Sequence, residues 1–126
     1  MPELLYVEDD DVLRGLYAEC LREAGFNVHE VRLAEEGLEA VRREPPDLVL
    51  LDISMPRGEM SGIEALARLR EQHASVVIPI VLLSGIGNIL NPELVKSLRV
   101  AAVVPKPAQV DHLVEILTRV LETASS

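Results

Sequence analysis

Apolar segments of strand length recur five times along the chain, and a segment with the spacing of an amphipathic helix follows each one. Two of the apolar segments, "DLVLLDI" (47–53) and "VVIPIVLLSG" (76–85), are almost uninterrupted, as expected for strands that are covered on both faces. Right-handed crossovers between parallel strands place helices on both faces of such a sheet. The sequence therefore predicts an α/β fold with a doubly wound, five-stranded parallel sheet and five helices.

The predicted elements are short and alternate regularly, with glycines and prolines between them. Strands are predicted at 3–8, 27–31, 47–53, 76–85 and 101–106. Helices are predicted at 11–24, 34–44, 63–69, 92–98 and 110–121, and a loop is predicted at 54–62. The chain has 126 residues, which is the size of one domain. We therefore expect a single domain over 1–126, with an ordered core of about 3–123.

The charge balance argues against a nucleic-acid partner. The 12 basic and 21 acidic residues give a net charge of −9, and the longest basic run is Arg42-Arg43. Contacts to a phosphate backbone need clustered Lys and Arg, so no direct nucleic-acid binding is expected. No apolar run approaches the ~20 residues of a membrane helix, and we expect no signal peptide before the first strand. With Cys20 as its only cysteine, the protein is expected in the cytoplasm, without membrane association.

Polar residues stand where the predicted strands end. Glu8 and Asp9 follow the first strand, Asp52 ends the third, Ser84 ends the fourth and Lys106 ends the fifth. Parallel strands bring their carboxyl ends to one edge of a sheet, which is where ligands bind in such folds. We therefore expect three carboxylates, a hydroxyl and an amine to converge at this edge.

This set of groups suits phosphoryl transfer. Crowded carboxylates raise one another's pKa unless a cation offsets them, and Mg²⁺ prefers oxygen ligands of this kind. A carboxylate can attack phosphorus to form an acyl phosphate, and Asp52 is the candidate nucleophile because it follows the central strand. Lys106 and Ser84 are candidates to hold the phosphoryl oxygens.

Structural roles are the alternatives for the same residues. Asp11 is expected to cap the first helix, because Asp is favoured at helix starts. The alternatives for the others are helix-start acidity for Glu8 and Asp9, turn positions for Asp52 and Ser84, and a solvated amine for Lys106. No zinc site or catalytic triad is predicted. We expect His29, His73 and His112 to lie at the surface and Cys20 to lie in the core.

Four motifs in order carry a resemblance to a known family. They are "YVEDD", "LLDISMP", "LLSG" and "PKP", with 43 residues from Asp9 to Asp52 and 22 from Ser84 to Lys106. Over essentially its whole length, the chain resembles the receiver domain of two-component response regulators. The resemblance implies a flavodoxin-like receiver fold and a phosphorylation-controlled switch rather than an enzyme that turns over a separate metabolite.

The resemblance also implies roles for the strand-end residues. Asp52 would accept phosphate from a histidine kinase or a phosphotransfer protein, and Ser84 and Lys106 would contact the phosphoryl group. The Mg²⁺ ligands would be Glu8, Asp9, Asp52 and the backbone carbonyl of Ser54. The Lys106–Pro107 bond would be cis.

Signalling in this family is implied to use one face, made by the fourth helix, fifth strand and fifth helix. A downstream partner or an output domain would read that face, and it is also a candidate surface for a homodimer. The alternative is a receiver-like scaffold or dimerisation module that works without phosphorylation. A third class, an Asp-based phosphatase, is disfavoured because Ser54 stands where that class has a second acid.

The sequence departs from the family in three places. The loop with "RGEMS" after Pro56 is two residues longer than usual, so Arg57, Gly58 and Glu59 are expected to alter access to the site or to contact a partner. Val103 replaces the usual aromatic switch residue. Ile86 stands where polar residues orient the hydrolytic water, and we expect it to lengthen the life of the phosphorylated state.

Overall fold

The computed structural model describes residues 1–53, 62–72, 78–85 and 92–124. The strands are β1 (Glu3–Val7), β2 (Asn27–Val31), β3 (Leu48–Asp52), β4 (Ile80–Ser84) and β5 (Ala102–Pro105). The helices are α1 (Asp11–Glu23), α2 (Ala34–Arg43), α3 (Gly62–Gln72), α4 (Pro92–Ser97) and α5 (Val110–Ala124). The alternation that the sequence predicts is therefore confirmed.

All five strands are parallel and lie in the order β2-β1-β3-β4-β5. The order reverses between β1 and β3, which is the point where doubly wound sheets open a crevice at the carboxyl ends of their strands. The register aligns Val7 with Leu51, and Asp52 with Leu83. The predicted α/β architecture is confirmed.

Two hydrophobic clusters cover the two faces of the sheet. One contains Leu66 and Leu69 of α3 together with residues of α2, and the other contains Leu21 of α1 and Leu113 of α5. Successive side chains of a strand point to opposite faces of the sheet. Leu5 and Val7 of β1 therefore belong to the first cluster, and Leu4 and Tyr6 of the same strand belong to the second. Both faces of the sheet are thus buried, which explains why its strands are almost wholly apolar.

The residue that caps α1 is one position away from the predicted one. The cap is Asp10 and not Asp11: a carboxylate oxygen of Asp10 accepts a hydrogen bond from the Leu13 amide at 3.0 Å. Gly25 follows the helix with a φ of 106°, a backbone conformation that glycine adopts readily. The acidic stretch therefore combines a helix cap with the residues at the end of β1.

The inner face of α1 differs from the one that the apolar spacing predicts, which is made by Leu13, Leu16, Tyr17, Cys20, Leu21 and Ala24. Ala18 and Leu21 are its buried residues, whereas Leu16, expected to face the core, is 59% exposed. A helix turns about 100° per residue, so Leu16 points about 200° away from Ala18. The expectation that Cys20 belongs to the core is also wrong, because Cys20 is only partly buried.

Strands β4 and β5 are shorter than predicted. β4 begins at Ile80, after Pro79, whose carbonyl accepts a hydrogen bond from Val49 at 3.0 Å. β5 ends at Pro105, which leaves Lys106 just beyond the strand. Residues 73–77 and most of the predicted loop at 54–62 lie outside the described residues. Among the helices of the described ranges, none has the length and apolar character needed to cross a membrane.

Candidate functional site

The polar ends of four neighbouring strands meet at the carboxyl edge of the sheet. Glu8 comes directly after β1 and Asp52 ends β3, which lies between β1 and β4. Ser84 ends β4 and pairs in register with Pro105, the residue before Lys106. Asp52 is therefore the central residue of this edge, because it ends the strand that lies between β1 and β4.

Three acidic side chains form a buried cluster at this edge. Glu8, Asp9 and Asp52 each offer a carboxylate oxygen, and these atoms lie within 4.8 Å of one another. The exposed fractions of the three residues are 1%, 8% and 1% respectively. Buried charges of one sign repel strongly, so this cluster needs positive charge to be stable in its ionised form.

Lys106 supplies one positive charge. Its Nζ lies 2.6 Å from Asp52 Oδ2 and 3.2 Å from Glu8 Oε1, and it donates hydrogen bonds to both. The backbone amide of Lys106 donates to the carbonyl of Ser84 at 2.8 Å, which holds the residue beside β4. The Lys106–Pro107 peptide bond is cis, as the family resemblance implies.

The pKa values reflect burial and the crowding of acids. Burial, followed by the hydrogen bond and charge of Asp52, raises the pKa of Glu8 to about 8, although Lys106 acts in the opposite direction. Burial by itself lowers the pKa of Lys106, but the hydrogen bonds and charges of Asp52 and Glu8 leave that pKa raised. One ammonium thus only partly offsets the acids, and a second cation would favour the ionised form of Glu8.

The donor set fits a hard divalent cation. Mg²⁺ takes oxygen ligands and is held in proteins by a few carboxylates together with water and phosphate oxygens. Glu8, Asp9 and Asp52 provide such oxygens close together. The expected fourth ligand, the backbone carbonyl of Ser54, lies outside the described residues.

The structure brings most of the predicted site residues together. Glu8, Asp9, Asp52 and Lys106 share one cluster, and Ser84 ends the strand beside Asp52, with its side chain partly exposed. His29 and His112 are exposed, as expected, whereas His73 is outside the described residues. So are Ile86, Arg57, Gly58 and Glu59, so the expectations that rest on them stay predictions. Val103 is described and is 40% exposed.

Two residues near the site were missed by sequence reasoning. Arg14 of α1 donates through Nη1 to the backbone carbonyl of Glu8 at 3.0 Å. Its spacing of four and seven residues from Ala18 and Leu21 indicates the inner face of the helix, and this signal was available. Tyr6 is fully buried two residues before Glu8, and its hydroxyl has no hydrogen-bond partner in the described parts of the chain.

Comparison with known proteins agrees with this geometry. A family model described as the response regulator receiver domain matches residues 4–118. The chain belongs to this family. Among curated relatives, it is 31% identical over 121 residues to the nitrogen assimilation regulatory protein NtrX of Azorhizobium caulinodans, covering 96% of this chain and 26% of that protein.

A second relative gives a similar result. The transcriptional regulatory protein CpxR of Klebsiella pneumoniae is 34% identical over 121 residues, which cover 96% of this receiver domain and 50% of that protein. The receiver domain thus spans half or less of the length of these two curated relatives.

Solved structures match the receiver domain over nearly its whole length. The receiver domain of NtrX from Brucella abortus is 31% identical with a TM-score of 0.82, covering 95% of this chain and 98% of that one. A CheY-like receiver domain protein from Methanospirillum hungatei has a TM-score of 0.88 at 23% identity, covering 99% and 97% of the two chains, which is a likeness of fold.

Proposed function

We propose that this receiver domain is a phosphorylation-controlled switch in which Asp52 is the phosphoacceptor and the reaction requires Mg²⁺. The observation that carries the proposal is the position of the Lys106 ammonium, 2.6 Å from Asp52 inside a buried cluster of three acids. An amine at this distance from a central carboxylate suits the transfer of a phosphoryl group onto that carboxylate. The phosphodonor is a phosphohistidine of a histidine kinase or phosphotransfer protein, and the reaction takes place in the cytoplasm.

The chemistry uses the chain's own groups. A carboxylate oxygen of Asp52 attacks phosphorus and forms a P–O bond, while the P–N bond to the donor imidazole breaks and its electron pair returns to nitrogen. Lys106 then donates to a phosphoryl oxygen, and the Ser84 hydroxyl donates to another. Glu8, Asp9, Asp52 and the carbonyl of Ser54 would hold Mg²⁺, which would supply positive charge to neutralise the phosphoryl oxygens. Water later attacks the phosphorus of the acyl phosphate, which releases inorganic phosphate and returns Asp52 to its carboxylate form.

The switch follows from the change in the partners of Lys106. In the unphosphorylated structure, its ammonium pairs with Asp52 and Glu8. A phosphoryl group on Asp52 offers new acceptor oxygens and additional negative charge at that position. Lys106 lies directly after β5 and shortly before α5, so a change in its contacts acts on the face made by α4, β5 and α5. A downstream partner or an output domain reads this face, which also offers a surface for a homodimer.

The test is the intact mass of the protein after incubation with Mg²⁺ and a small phosphoramidate or acyl phosphate. We expect the parent to gain one phosphoryl group, with none gained by Asp52→Asn or by the parent in excess chelator. Asp111→Asn is the matched control, because Asp111 lies in the first turn of α5 and is exposed. A phosphoryl gain by Asp52→Asn would overturn the assignment of the acceptor.

A lack of any gain by the parent, repeated with several small donors and a panel of kinases, would overturn the switch. It would favour the alternative of a scaffold or dimerisation module that works without phosphorylation. A measurement of Mg²⁺ binding in the same samples would then show whether the acidic cluster still binds a cation.

A further inference from the structure

The hydrogen-bond ladder between β1 and β2 ends at Glu8. The amide of Glu8 donates to the carbonyl of Val31 at 3.1 Å, so its backbone continues the register of β1 with β2. In a parallel pair of strands, the next bond of this ladder would run from the amide of Leu33 to the carbonyl of Glu8. That amide instead donates to Glu36 Oε1 at 3.1 Å, where the chain turns into α2. The Glu8 carbonyl therefore receives no donor from β2.

Arg14 takes the place of the missing donor. Its Nη1 donates to the Glu8 carbonyl oxygen at 3.0 Å, and the side chain is only 14% exposed. The remaining nitrogens are also engaged: Nε lies 3.3 Å from Glu30 Oε1, and Nη2 lies 2.9 Å from Asp11 Oδ1. A planar guanidinium with several fixed partners is held in one orientation. The carbonyl that it contacts is held with it.

The charge of Arg14 is balanced locally. Glu30 and Asp11 are both within ion-pair distance of its guanidinium, and Arg22 also pairs with Glu30 at 2.9 Å. The positive charge of Arg14 is thus largely neutralised by these neighbours. Its main effect on the acidic cluster is geometric, because it fixes the backbone from which the carboxylates of Glu8 and Asp9 project.

We propose that Arg14 is a positioning residue for the cation site. By completing the ladder at Glu8, it holds the carboxylates of Glu8 and Asp9 at the separation from Asp52 that a divalent cation requires. The inference rests on the proposed function in that it concerns the same site. Groups that orient metal ligands typically contribute about tenfold or more to metal affinity, and we expect a loss of this size without Arg14.

The test compares Mg²⁺ binding by Arg14→Met and Arg22→Met in the full chain, measured by calorimetry. Arg22 is the matched control: it lies two turns further along α1 and also bonds a backbone carbonyl, that of Val28, and Glu30. We expect Arg14→Met to bind Mg²⁺ about tenfold more weakly. We expect Arg22→Met to remain within about twofold of the parent, because Arg22 lies in the last turn of α1, at the opposite end of the helix from Glu8 and Asp9. Equal losses in the two variants would reduce Arg14 to a packing residue and overturn the proposal.

A second variant keeps the test decisive if Arg14→Met does not fold, which far-UV circular dichroism reports. Arg14→Lys keeps the charge, but one ammonium cannot reproduce the planar contacts to Glu8, Glu30 and Asp11 together. We expect its Mg²⁺ affinity to lie between those of the parent and Arg14→Met, about threefold below the parent. An unchanged affinity in Arg14→Lys, where Arg14→Met is unfolded, would overturn the proposal.

Phosphorylation of the same samples separates this inference from the proposed function. We expect the Mg²⁺ concentration for half-maximal labelling of Arg14→Met to rise about tenfold, while labelling at saturating Mg²⁺ stays near that of the parent. Failure of the parent itself to be labelled would count against the proposed function only. The affinity difference between the Arg14 and Arg22 variants would still decide the role of Arg14.

Discussion

Lys106 Nζ lies 2.6 Å from Asp52 Oδ2, across 54 residues of sequence. Asp52 is almost completely buried, so removal of this ammonium leaves the acidic cluster without its nearest positive charge. We expect Lys106→Met to lower the free energy of unfolding in chelator by about 2 kcal/mol, since breaking a buried ion pair by removing one partner is costly. Urea unfolding at pH 8 measures the change.

The control for this prediction is Lys96→Met, because Lys96 is exposed in the last turn of α4. We expect that variant to change the free energy of unfolding by less than about 0.5 kcal/mol. Addition of Mg²⁺ should stabilise Lys106→Met more than the parent, because the cation supplies the lost positive charge. Equal stabilisation of the two proteins would contradict this account of the cluster.

The raised pKa of Glu8 predicts a pH dependence of stability without metal. Glu8 has a pKa of about 8 in the folded protein against an ordinary value of 4.5. Between these values, the folded state binds more protons at Glu8 than the unfolded state does, so the free energy of unfolding falls as the pH rises from 4.5 to 8. The slope from this one group is at most about 1.4 kcal/mol per pH unit.

Glu8→Gln isolates this contribution from that of the other carboxyl groups. The difference in unfolding free energy between Glu8→Gln and the parent, both in chelator, should grow in favour of the variant as the pH rises through this window. Chemical denaturation at several pH values provides the measurement. A difference that is independent of pH would show that Glu8 ionises normally in the folded protein.

The two tyrosines of the second core cluster predict opposite effects of removing a hydroxyl. The Tyr6 hydroxyl is buried without a hydrogen-bond partner in the described residues, whereas the Tyr17 hydroxyl donates to the carbonyl of Ala108. Removal of an unsatisfied buried polar group relieves its desolvation cost, so Tyr6→Phe should stabilise the protein by about 1 kcal/mol. Tyr17→Phe should destabilise it by a similar amount. Thermal unfolding of both variants is the measurement, and a loss of stability in Tyr6→Phe would indicate a bound partner for its hydroxyl.

Two helical glycines form a further matched pair. A Cβ on Gly37 of α2 would lie 3.1 Å from Val7 Cγ2, whereas a Cβ on Gly15 of α1 would meet no described atom within 4 Å. Gly15→Ala should therefore stabilise the protein by about 0.8 kcal/mol through helix propensity alone. The side chain of Val7 is buried and β-branched, so it cannot easily move away from the added methyl group. Gly37→Ala should therefore destabilise the protein by about 1 kcal/mol. Equal effects in urea unfolding would mean that α2 can shift away from β1.

Local patterns predicted the elements and the fold class. The apolar segments at 47–53 and 76–85 indicated strands buried on both faces, and β3 and β4 lie within them. The gathering of Glu8, Asp52 and Lys106 also followed from the sequence, because parallel strands bring their carboxyl ends to one edge. These inferences needed only the repeat of apolar residues and the rule for parallel crossovers.

Side-chain directions and long-range hydrogen bonds were decided by the tertiary structure. Whether Leu16 or Ala18 faces the core depends on the rotation of α1 against the sheet, and neighbouring apolar residues left that rotation open. The contact of Arg14 with the Glu8 carbonyl depends on where β2 stops and on the use of the Leu33 amide by Glu36. Local patterns of residues are enough to predict which groups reach the edge of the sheet, since periodicity is a property of neighbouring residues. The three-dimensional packing alone decided which donor meets which acceptor, because those partners belong to elements far apart in the chain.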